Sequence, residues 1–326
     1  MNMSANRRKI LTAGALIAAG CAGAFAQQGY PGKPIRLIVP YPPGGGTTIV
    51  AHLLSTRLNE SWGQSLIVDN RGGGGGIIGT TAMLQAPADG YTLLLASSTH
   101  VTNPLLLAVP YDAIRDFTAV TSLYSSELVL VANPALPVNT LQEFIALAKS
   151  QPGKLNYGVV SLGGTTHLAG ELLNVLAGTK TQHVAYKGAG PAMQDLIGGQ
   201  VQFSFVAPAA ALPFLKNGQL KAIAISGEKR LPAMPQVPTF AEAGLAEFQS
   251  RIWFGILARA GTPKEIVDKL AAEIGRIMAL PEMKEKLVSQ GLEAFVAGPE
   301  QFSAVLKSDM AKYANLVKAA NIKLEQ

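Results

Sequence analysis

The sequence is poor in cysteine, and the single one, Cys21, lies in an N-terminal stretch with the features of a secretion signal. A basic cluster at residues 7–9 precedes an apolar segment from Ile10 to Ala19, and Ala24-Phe25-Ala26 is typical of a signal-peptidase site. We therefore expect residues 1–26 to be a signal peptide and the protein to be exported to the periplasm. Without Cys21, the mature chain can form no disulfide, thiolate nucleophile or cysteine metal site.

Two features of this stretch leave the export route and the anchoring open. Asn6-Arg7-Arg8-Lys9 resembles a twin-arginine signal, so export by the Sec route or the twin-arginine route is consistent with the sequence. Ala19-Gly20-Cys21 faintly resembles a lipidation site, but Ala18 stands where a larger aliphatic residue is usual. We favour soluble release, because the cleavage site at Ala26 is better formed.

Long apolar runs and concentrated charge are also missing from the rest of the chain. No apolar stretch of about 18 or more residues follows the signal, which argues against a transmembrane anchor. The net charge of +6 falls to +3 on cleavage, because three basic residues and no acidic one are removed. Since Lys and Arg form no stripe among aromatic residues, we do not expect nucleic acid as a partner. The remaining chain of about 300 residues is long enough for two domains of ordinary size.

The most informative feature that is present is a repeated turn sequence. Residues 45–51 read GGTTIVA and residues 163–169 read GGTTHLA. Each copy follows a strand-like apolar run and opens a helix-like segment, so its backbone N–H groups would lie at the positive end of a helix, where anions bind readily. Two matched turns indicate two related lobes that offer anion-binding turns to a shared cleft, although so short a motif can also repeat by chance.

The alternation of short apolar runs with helix-length segments predicts an α/β architecture. The predicted strands are Ile35–Val39, Ser65–Val68, Thr92–Ala96, Leu128–Ala132, Leu155–Val159, Gln182–Ala185, Gln202–Val206, Leu220–Ile225 and Arg251–Ala258. The predicted helices include Thr47–Trp62, Thr140–Ser150, Thr165–Leu176, Gly190–Gly198, Pro208–Asn217, Pro263–Met278, Pro281–Gln290 and Pro299–Ala320.

Two segments are interpreted as crossings between the lobes, near Ser125–Val131 and near Phe248–Leu257. Because the second turn sequence lies between them, the first lobe is expected to be discontinuous, with residues 27–126 and 250–326, and the second to span residues 127–249. Two extended crossings are suited to hinge closure around a ligand.

The sequence contains no complete nucleotide-binding motif. Residues 74–79 satisfy G-x-G-x-x-G after a strand, but no acidic residue closes the next strand, which ends at Ser97-Ser98-Thr99. The turn at Gly44–Gly46 lacks the lysine of a P-loop. We therefore expect no nucleotide cofactor, and we interpret the glycine stretch as a turn at the lobe surface or in the cleft wall.

Support for catalysis is also weak. The segment around Ser161 lacks the first glycine of a nucleophile elbow, and the four histidines show no metal-ligand spacing. His167, in the first turn of a predicted helix, is as well suited to a surface position as to a hydrogen bond with a ligand. The sequence thus predicts no catalytic residue, metal or cofactor.

The sequence resembles the Bug, or TctC-like, extracytoplasmic solute-binding proteins, which serve tripartite tricarboxylate transporters. The matching segments run in order along the whole mature chain: residues 30–36 (YPGKPIR), 40–46 (PYPPGGG), 70–71 (NR), 89–93 (DGYTL), 152–157 (PGKLNY), 166–171 (THLAGE), 186–188 (YKG), 198–201 (GGQV), 237–244 (VPTFAEAG) and 261–263 (GTP).

This resemblance implies a two-lobed type II periplasmic-binding-protein fold, in which each lobe is a sheet flanked by helices and the ligand cleft lies between them. It also implies a small di-, tri- or aromatic carboxylate as ligand, transporter membrane subunits as partners, and a monomeric, non-enzymatic protein. The predicted ligand-binding residues are Tyr41, Pro43, Gly44, Gly45, Gly46, Thr47, Thr48, Ser97, Ser98, Thr99, Ser161, Gly163, Gly164, Thr165, Thr166, His167, Lys187 and Ala207.

The chain departs from the family pattern at two places. Thr48 and His52 stand where relatives commonly carry Asp and Arg, a spacing that would form an ion pair along a helix. Ala207 lies near the position after Phe205 where an acidic residue is frequent. Both departures remove negative charge or polarity near the predicted cleft, which suits a ligand of little positive character, such as a di- or aromatic carboxylate.

Two other functions stay open at this stage. The closed form could dock on a sensor kinase instead of a transporter, since both partners would meet the same surface. An exported hydrolase using Ser161 and His167 is the third alternative, although the sequence offers no group to orient His167.

Overall fold

The computed structural model of the protein describes residues 29–43, 46–159, 162–186, 188–289 and 291–322. The predicted signal peptide lies outside these residues. So do four predicted ligand-binding residues, which are Gly44, Gly45, Ser161 and Lys187.

Strands and helices alternate along most of the described chain. The strands are β1 (Ile35–Val39), β2 (Leu66–Asn70), β3 (Thr92–Ser97), β4 (Phe117–Glu127), β5 (Val129–Ala132), β6 (Asn156–Val159), β7 (Gln182–Ala185), β8 (Phe203–Val206), β9 (Lys221–Ile225), β10 (Arg251–Arg259) and β11 (Glu293–Ala294). The helices are α1 (Gly46–Trp62), α2 (Ile77–Met83), α3 (Thr99–Leu106), α4 (Leu141–Ser150), α5 (Thr165–Ala177), α6 (Ala189–Ile197), α7 (Pro208–Lys216), α8 (Lys264–Met278), α9 (Pro281–Ser289) and α10 (Pro299–Ala319).

The strands form two separate mixed sheets. The first has the order β11-β4-β10-β3-β1-β2, in which β1 pairs in parallel with β2 and β3, and β10 pairs antiparallel with β3 and β4. The second has the order β7-β6-β8-β5-β9, in which β6 pairs in parallel with β7 and β8. The predicted two-lobed α/β architecture is thereby confirmed.

Strands from residues 35–127 and 251–294 belong to the first sheet, and those from 129–225 belong to the second. The predicted lobe boundaries after residues 126 and 249 lie beside these limits and stay a prediction. Only Leu128 separates β4 from β5, so the chain passes from one sheet to the other within a single residue.

The lobes also meet away from the two crossings. Leu168 of α5 is fully buried and clusters with Tyr313 and Leu316 of α10, while Leu105 and Leu106 of α3 pack against the same group. These five residues form an interlobe cluster. The two sheets are therefore joined by apolar packing between helices as well as by the chain segments that connect them.

None of the helices in the described ranges combines the length and the apolar composition needed to cross a membrane.

Candidate functional site

The predicted ligand-binding residues follow the carboxyl ends of parallel strands in both sheets. Tyr41 follows β1, and residues 97–99 end β3 and begin α3. In the second sheet, the turn before α5 follows β6, and Ala207 follows β8. Parallel strands present their carboxyl ends at one edge of a sheet, which is where α/β folds bind ligands. Each lobe thus gathers at one edge those of its predicted residues that the structure describes.

The two groups of residues meet where β3 ends and α5 begins. The hydroxyl oxygens of Ser98 and Thr165 lie 3.0 Å apart, and both side chains are buried. Ser98 precedes the first residue of α3, and Thr165 is the first residue of α5. The second-lobe turn sequence therefore starts its helix beside the polar end of β3.

The first lobe holds a chain of hydroxyl groups at this edge. Tyr41 donates a hydrogen bond to the Ser97 hydroxyl, whose oxygen lies 2.9 Å from that of Thr99. Burial raises the pKa of the Tyr41 phenol, so this group stays protonated and can donate a hydrogen bond.

The start of α1 is fixed by Asn70 at the end of β2. The Asn70 side-chain amide donates to the Tyr41 carbonyl at 3.0 Å and to the Thr48 hydroxyl oxygen at 3.2 Å. Thr48 is buried, whereas the neighbouring Thr47 is only partly buried. Gly46 is the first residue of α1, and Pro43 is exposed.

Tyr124 of β4 is a residue at this edge that the sequence analysis missed. It is buried beside Thr47, and its ring stacks on Phe254 with the centroids 4.7 Å apart. Burial raises the pKa of its phenol, so the group is neutral. Its hydroxyl makes no hydrogen bond of ordinary geometry with any residue in the described ranges. No local motif marks Tyr124, because it reaches the site only through the pairing of β4 with β10.

The glycine stretch before α2 supports the first-lobe loop. Residues 73–76 all have positive φ angles, which only glycine adopts readily in succession. A Cβ atom at Gly79 would lie 2.7 Å from Cβ of Pro40 and 2.9 Å from its Cα. Asn103 of α3 also donates to the carbonyl of Gly75 at 3.1 Å. The stretch is therefore closely packed against the segment that leads into Tyr41.

The buried side chain of His167 holds the second-lobe turn through a hydrogen bond to its backbone. Its side chain is only 1% exposed, and its Nδ1 accepts a hydrogen bond from the Gly163 amide at 3.0 Å. Nδ1 must then be unprotonated, so a neutral ring carries its proton on Nε2, which faces Nδ1 of His183 at 3.2 Å. Burial and the nearby His183 lower the pKa of His167 to about 4, and the ring is therefore neutral near pH 7.

A second group that the sequence analysis missed surrounds this histidine. Glu171 lies one turn further along α5, and its Oε1 accepts a hydrogen bond from Tyr157 at 2.7 Å. Oε1 is also 3.8 Å from both His167 Nε2 and His183 Nδ1. The separation of His183 from His167 in sequence gave no signal of this contact, which follows from the packing of α5 beside the second sheet.

Helices that begin at the predicted site lack acidic residues in their first turn. This holds for α1, α3, α5, α6 and α7, and the last four have no side-chain hydrogen bond at the N-cap. By contrast, the helices α4, α8, α9 and α10 each carry a glutamate in the first turn: Glu143, Glu265, Glu282 and Glu300. The positive ends of these helices thus carry no carboxylate of their own in the first turn, which favours the binding of an anion.

A family model and a full-length relative both place the chain in the same protein family. Residues 50–322 match the sequence model of TctC, the tripartite tricarboxylate transporter family receptor. Protein BugT of Bordetella pertussis (strain Tohama I) is 36% identical over 329 residues, which cover 100% of both chains.

Two solved structures extend this similarity to the fold. Rpa4515 of R. palustris with adipate has a TM-score of 0.78 and 33% identity, covering 90% of this chain and 99% of the other. MatC of Rhodopseudomonas palustris with bound malate has a TM-score of 0.73 and 31% identity, covering 88% of this chain and 100% of the other.

Proposed function

Because the chain belongs to the TctC family of tripartite tricarboxylate transporter receptors, we propose that it captures a small carboxylate in the periplasm and delivers it to transporter membrane subunits. In this function the protein binds and releases its ligand without chemical change, and it acts as a monomer exported by its N-terminal signal.

The observation that carries the proposal is the meeting of unneutralised helix starts at Ser98 and Thr165. A carboxylate bound beside this buried contact would accept hydrogen bonds from the N–H groups of the first turn of α5, which have no partner within the helix. The partly buried hydroxyls of Thr47 and Thr166 add donors from the two repeated turns. One carboxylate bridging both turns would hold the lobes together.

The site favours a ligand with two acidic ends or with an acidic and an apolar end. Relatives of this fold have been solved with adipate and with malate, which are both dicarboxylates. In this chain the wall after β8 is Val206-Ala207, which offers no charge to a cationic group. Lys187 is proposed as a partner for the second carboxylate of a dicarboxylate.

The geometry around His167 does not favour a hydrolase. One ring nitrogen accepts the Gly163 amide, and the other faces His183. Neither nitrogen is free to remove a proton from a serine hydroxyl, which nucleophilic catalysis requires. His167 is instead proposed to orient the turn that contacts the ligand.

A thermal-shift screen over di-, tri- and aromatic carboxylates identifies the ligand, because saturation at 100 times Kd stabilises the protein by about 2.7 kcal/mol. Titration calorimetry then compares Thr47→Val and Thr166→Val with the matched control Thr56→Val, an exposed position on α1. Each hydrogen bond to a charged group contributes about 1.5–3 kcal/mol, so binding should weaken roughly 10- to 100-fold in the first two variants only. Unchanged affinity in both would refute the bridging site.

Uptake of the identified ligand by cells that lack this protein tests delivery. Uptake should fall to background and return when the chain is supplied again. Unchanged uptake, combined with loss of a transcriptional response to the ligand, would assign the protein to sensing instead of transport.

A further inference from the structure

Three potential metal ligands converge under the second-lobe turn. His167 and Glu171 are four residues apart on α5 and therefore lie on the same helical face. His183 approaches them from β7, the edge strand of the second sheet. Within the described ranges, these residues form the one group of three histidine or carboxylate side chains close enough to share a cation.

The separations between their ligand atoms match the size of a transition-metal ion. His167 Nε2 and His183 Nδ1 are 3.2 Å apart, and each lies 3.8 Å from Glu171 Oε1. A triangle with these sides has a central point roughly 2.1 Å from all three corners, and zinc bonds to histidine nitrogen and carboxylate oxygen are about 2.0–2.2 Å long.

We propose that His167, Glu171 and His183 bind Zn²⁺, or a divalent ion of similar size and ligand preference, through Nε2, Oε1 and Nδ1. Two imidazoles and one carboxylate suit zinc, cobalt, nickel or copper, whereas magnesium and calcium prefer oxygen ligands alone. Water would complete the coordination of the ion.

The surroundings of the group suit this role. Tyr157 donates to Oε1 of Glu171 at 2.7 Å, and hydrogen bonds of this kind orient the carboxylates that bind metal ions. Glu171 is 15% exposed and His183 is 40% exposed, so a hydrated ion can reach the ligands from solvent. His167 forms the buried floor.

Binding at this site would rearrange the turn above it. A metal ion on Nε2 of His167 needs the lone pair of that nitrogen, and the ring proton must then move to Nδ1. A protonated Nδ1 cannot accept the Gly163 amide, so the hydrogen bond that now holds the turn is broken. Metal binding is therefore coupled to the conformation of residues 162–164.

The first test uses the mature protein without a polyhistidine tag. Competition with a chromogenic chelator should show one Zn²⁺ bound per chain. Binding should weaken at least about 100-fold in Glu171→Gln and His183→Ala, since loss of a residue that only hydrogen-bonds to a metal ligand already costs about 10- to 100-fold. His52→Ala removes an exposed histidine on α1 and serves as the matched control, with unchanged affinity. Circular dichroism confirms that each variant is folded.

Absence of saturable binding by the wild type overturns the proposal, as does equal loss of affinity in His52→Ala. If Glu171→Gln or His183→Ala fails to fold, Tyr157→Phe replaces it, and its affinity should fall by about tenfold or more. An unchanged affinity in that variant also overturns the proposal.

The second test reads the histidine tautomer directly. Long-range ¹H–¹⁵N spectra of the imidazole rings should show the His167 proton on Nε2 without metal and on Nδ1 with Zn²⁺. The Gly163 amide resonance should shift in the same titration. A His167 ring that keeps its proton on Nε2 at saturating Zn²⁺ overturns the assignment. Both tests use the metal alone, so they stand apart from the identity of the carboxylate ligand.

Discussion

The hydroxyl oxygens of Ser98 and Thr165 lie 3.0 Å apart in a buried contact between helices that belong to different lobes. Each hydroxyl serves as hydrogen-bond partner of the other where little water can reach. The contact joins the end of β3 in the first sheet to the start of α5 beside the second sheet. It is therefore a polar counterpart of the interlobe cluster around Leu168.

A double-mutant cycle measures this contact. Ser98→Ala leaves the buried Thr165 hydroxyl without this partner, which should cost about 1–3 kcal/mol of unfolding free energy. Thr165→Val should cost a similar amount. The double variant should cost less than the sum, with an interaction energy of about 0.5–3 kcal/mol from urea unfolding. Strictly additive losses would show that the two hydroxyls do not depend on each other.

Because Gly79 packs against Pro40, we expect substitution of Gly79 by a larger residue to destabilise the protein. Gly79→Ala places a methyl group 2.7 Å from a proline side-chain carbon and 2.9 Å from backbone, so the loop leading to Tyr41 must shift. Thermal unfolding should show a loss of about 1–3 kcal/mol, as overpacking usually does. Gly275→Ala inside α8 is the matched control, because a methyl group there would lie 3.7 Å from its nearest neighbour, a side-chain carbon of Val296, which is an ordinary contact. We expect it to be neutral or slightly stabilising, and an equal loss in both variants would contradict the close-packing argument.

His100 predicts part of the pH dependence of stability. It is 3% exposed, bonds to the Ala113 carbonyl at 2.9 Å, and stacks on Tyr111. Burial lowers its pKa from 6.5 to about 4, so the unfolded chain binds more protons than the folded one between these values. Stability should therefore be lost as pH falls through this window, by roughly 2 kcal/mol between pH 7.5 and 5 from this residue.

The His100 contribution is isolated by comparing urea unfolding of the wild type with His100→Gln at both pH values. The variant should be less stable at pH 7.5 but lose less on acidification. Thr56→Val, at an exposed position that does not titrate, should keep the wild-type pH dependence. An unchanged slope in His100→Gln would show that the buried ring does not titrate as expected.

Ligand-driven closure is measurable by small-angle scattering. A ligand that grips both repeated turns binds the closed state better than the open one, and only this difference shifts the equilibrium. The radius of gyration should fall when the cognate carboxylate is added. The interlobe cluster around Leu168 restrains rotation in addition to the two crossings, so we expect a modest decrease. Identical curves at saturating ligand would indicate a rigid, preformed cleft.

Much of the fold could be predicted from apolar periodicity, and the exceptions have physical causes. All nine predicted strands occur, with ends shifted by no more than a residue or two. The long strand β4 was missed because it is rich in serine and threonine, although its residues are almost all buried. The hydroxyl of Ser122 is satisfied by backbone, because it donates to the Phe295 carbonyl and accepts from the Ala297 amide. Burial of Ser122 depends on partners 173 and 175 residues further along the chain, which no local pattern shows.

The short helices α2 and α3 were also missed, for a similar reason. Pro104 lies inside α3, and His100, Thr102 and Asn103 are buried polar residues on it, so the segment lacks an amphipathic pattern.

The candidate site likewise contains residues that the sequence indicated and residues that only the fold reveals. The repeated turns could be recognised from the sequence alone. The structure then places Ser98 beside Thr165, the first helical residue after the second turn. Tyr124 and His183 reach the site through sheet pairing and helix packing, which are properties of the assembled fold.

The position of β10 has a consequence for the order in which the protein folds. This strand lies between β3 and β4 in the first sheet, yet its residues follow β4 only after the entire second sheet. A nascent chain therefore exposes the facing edges of β3 and β4 until residues 251–259 arrive. The strands of the second sheet lie within residues 129–225 and can pair earlier. Closing so long a loop is slow, so completion of the first sheet is expected to limit the folding rate.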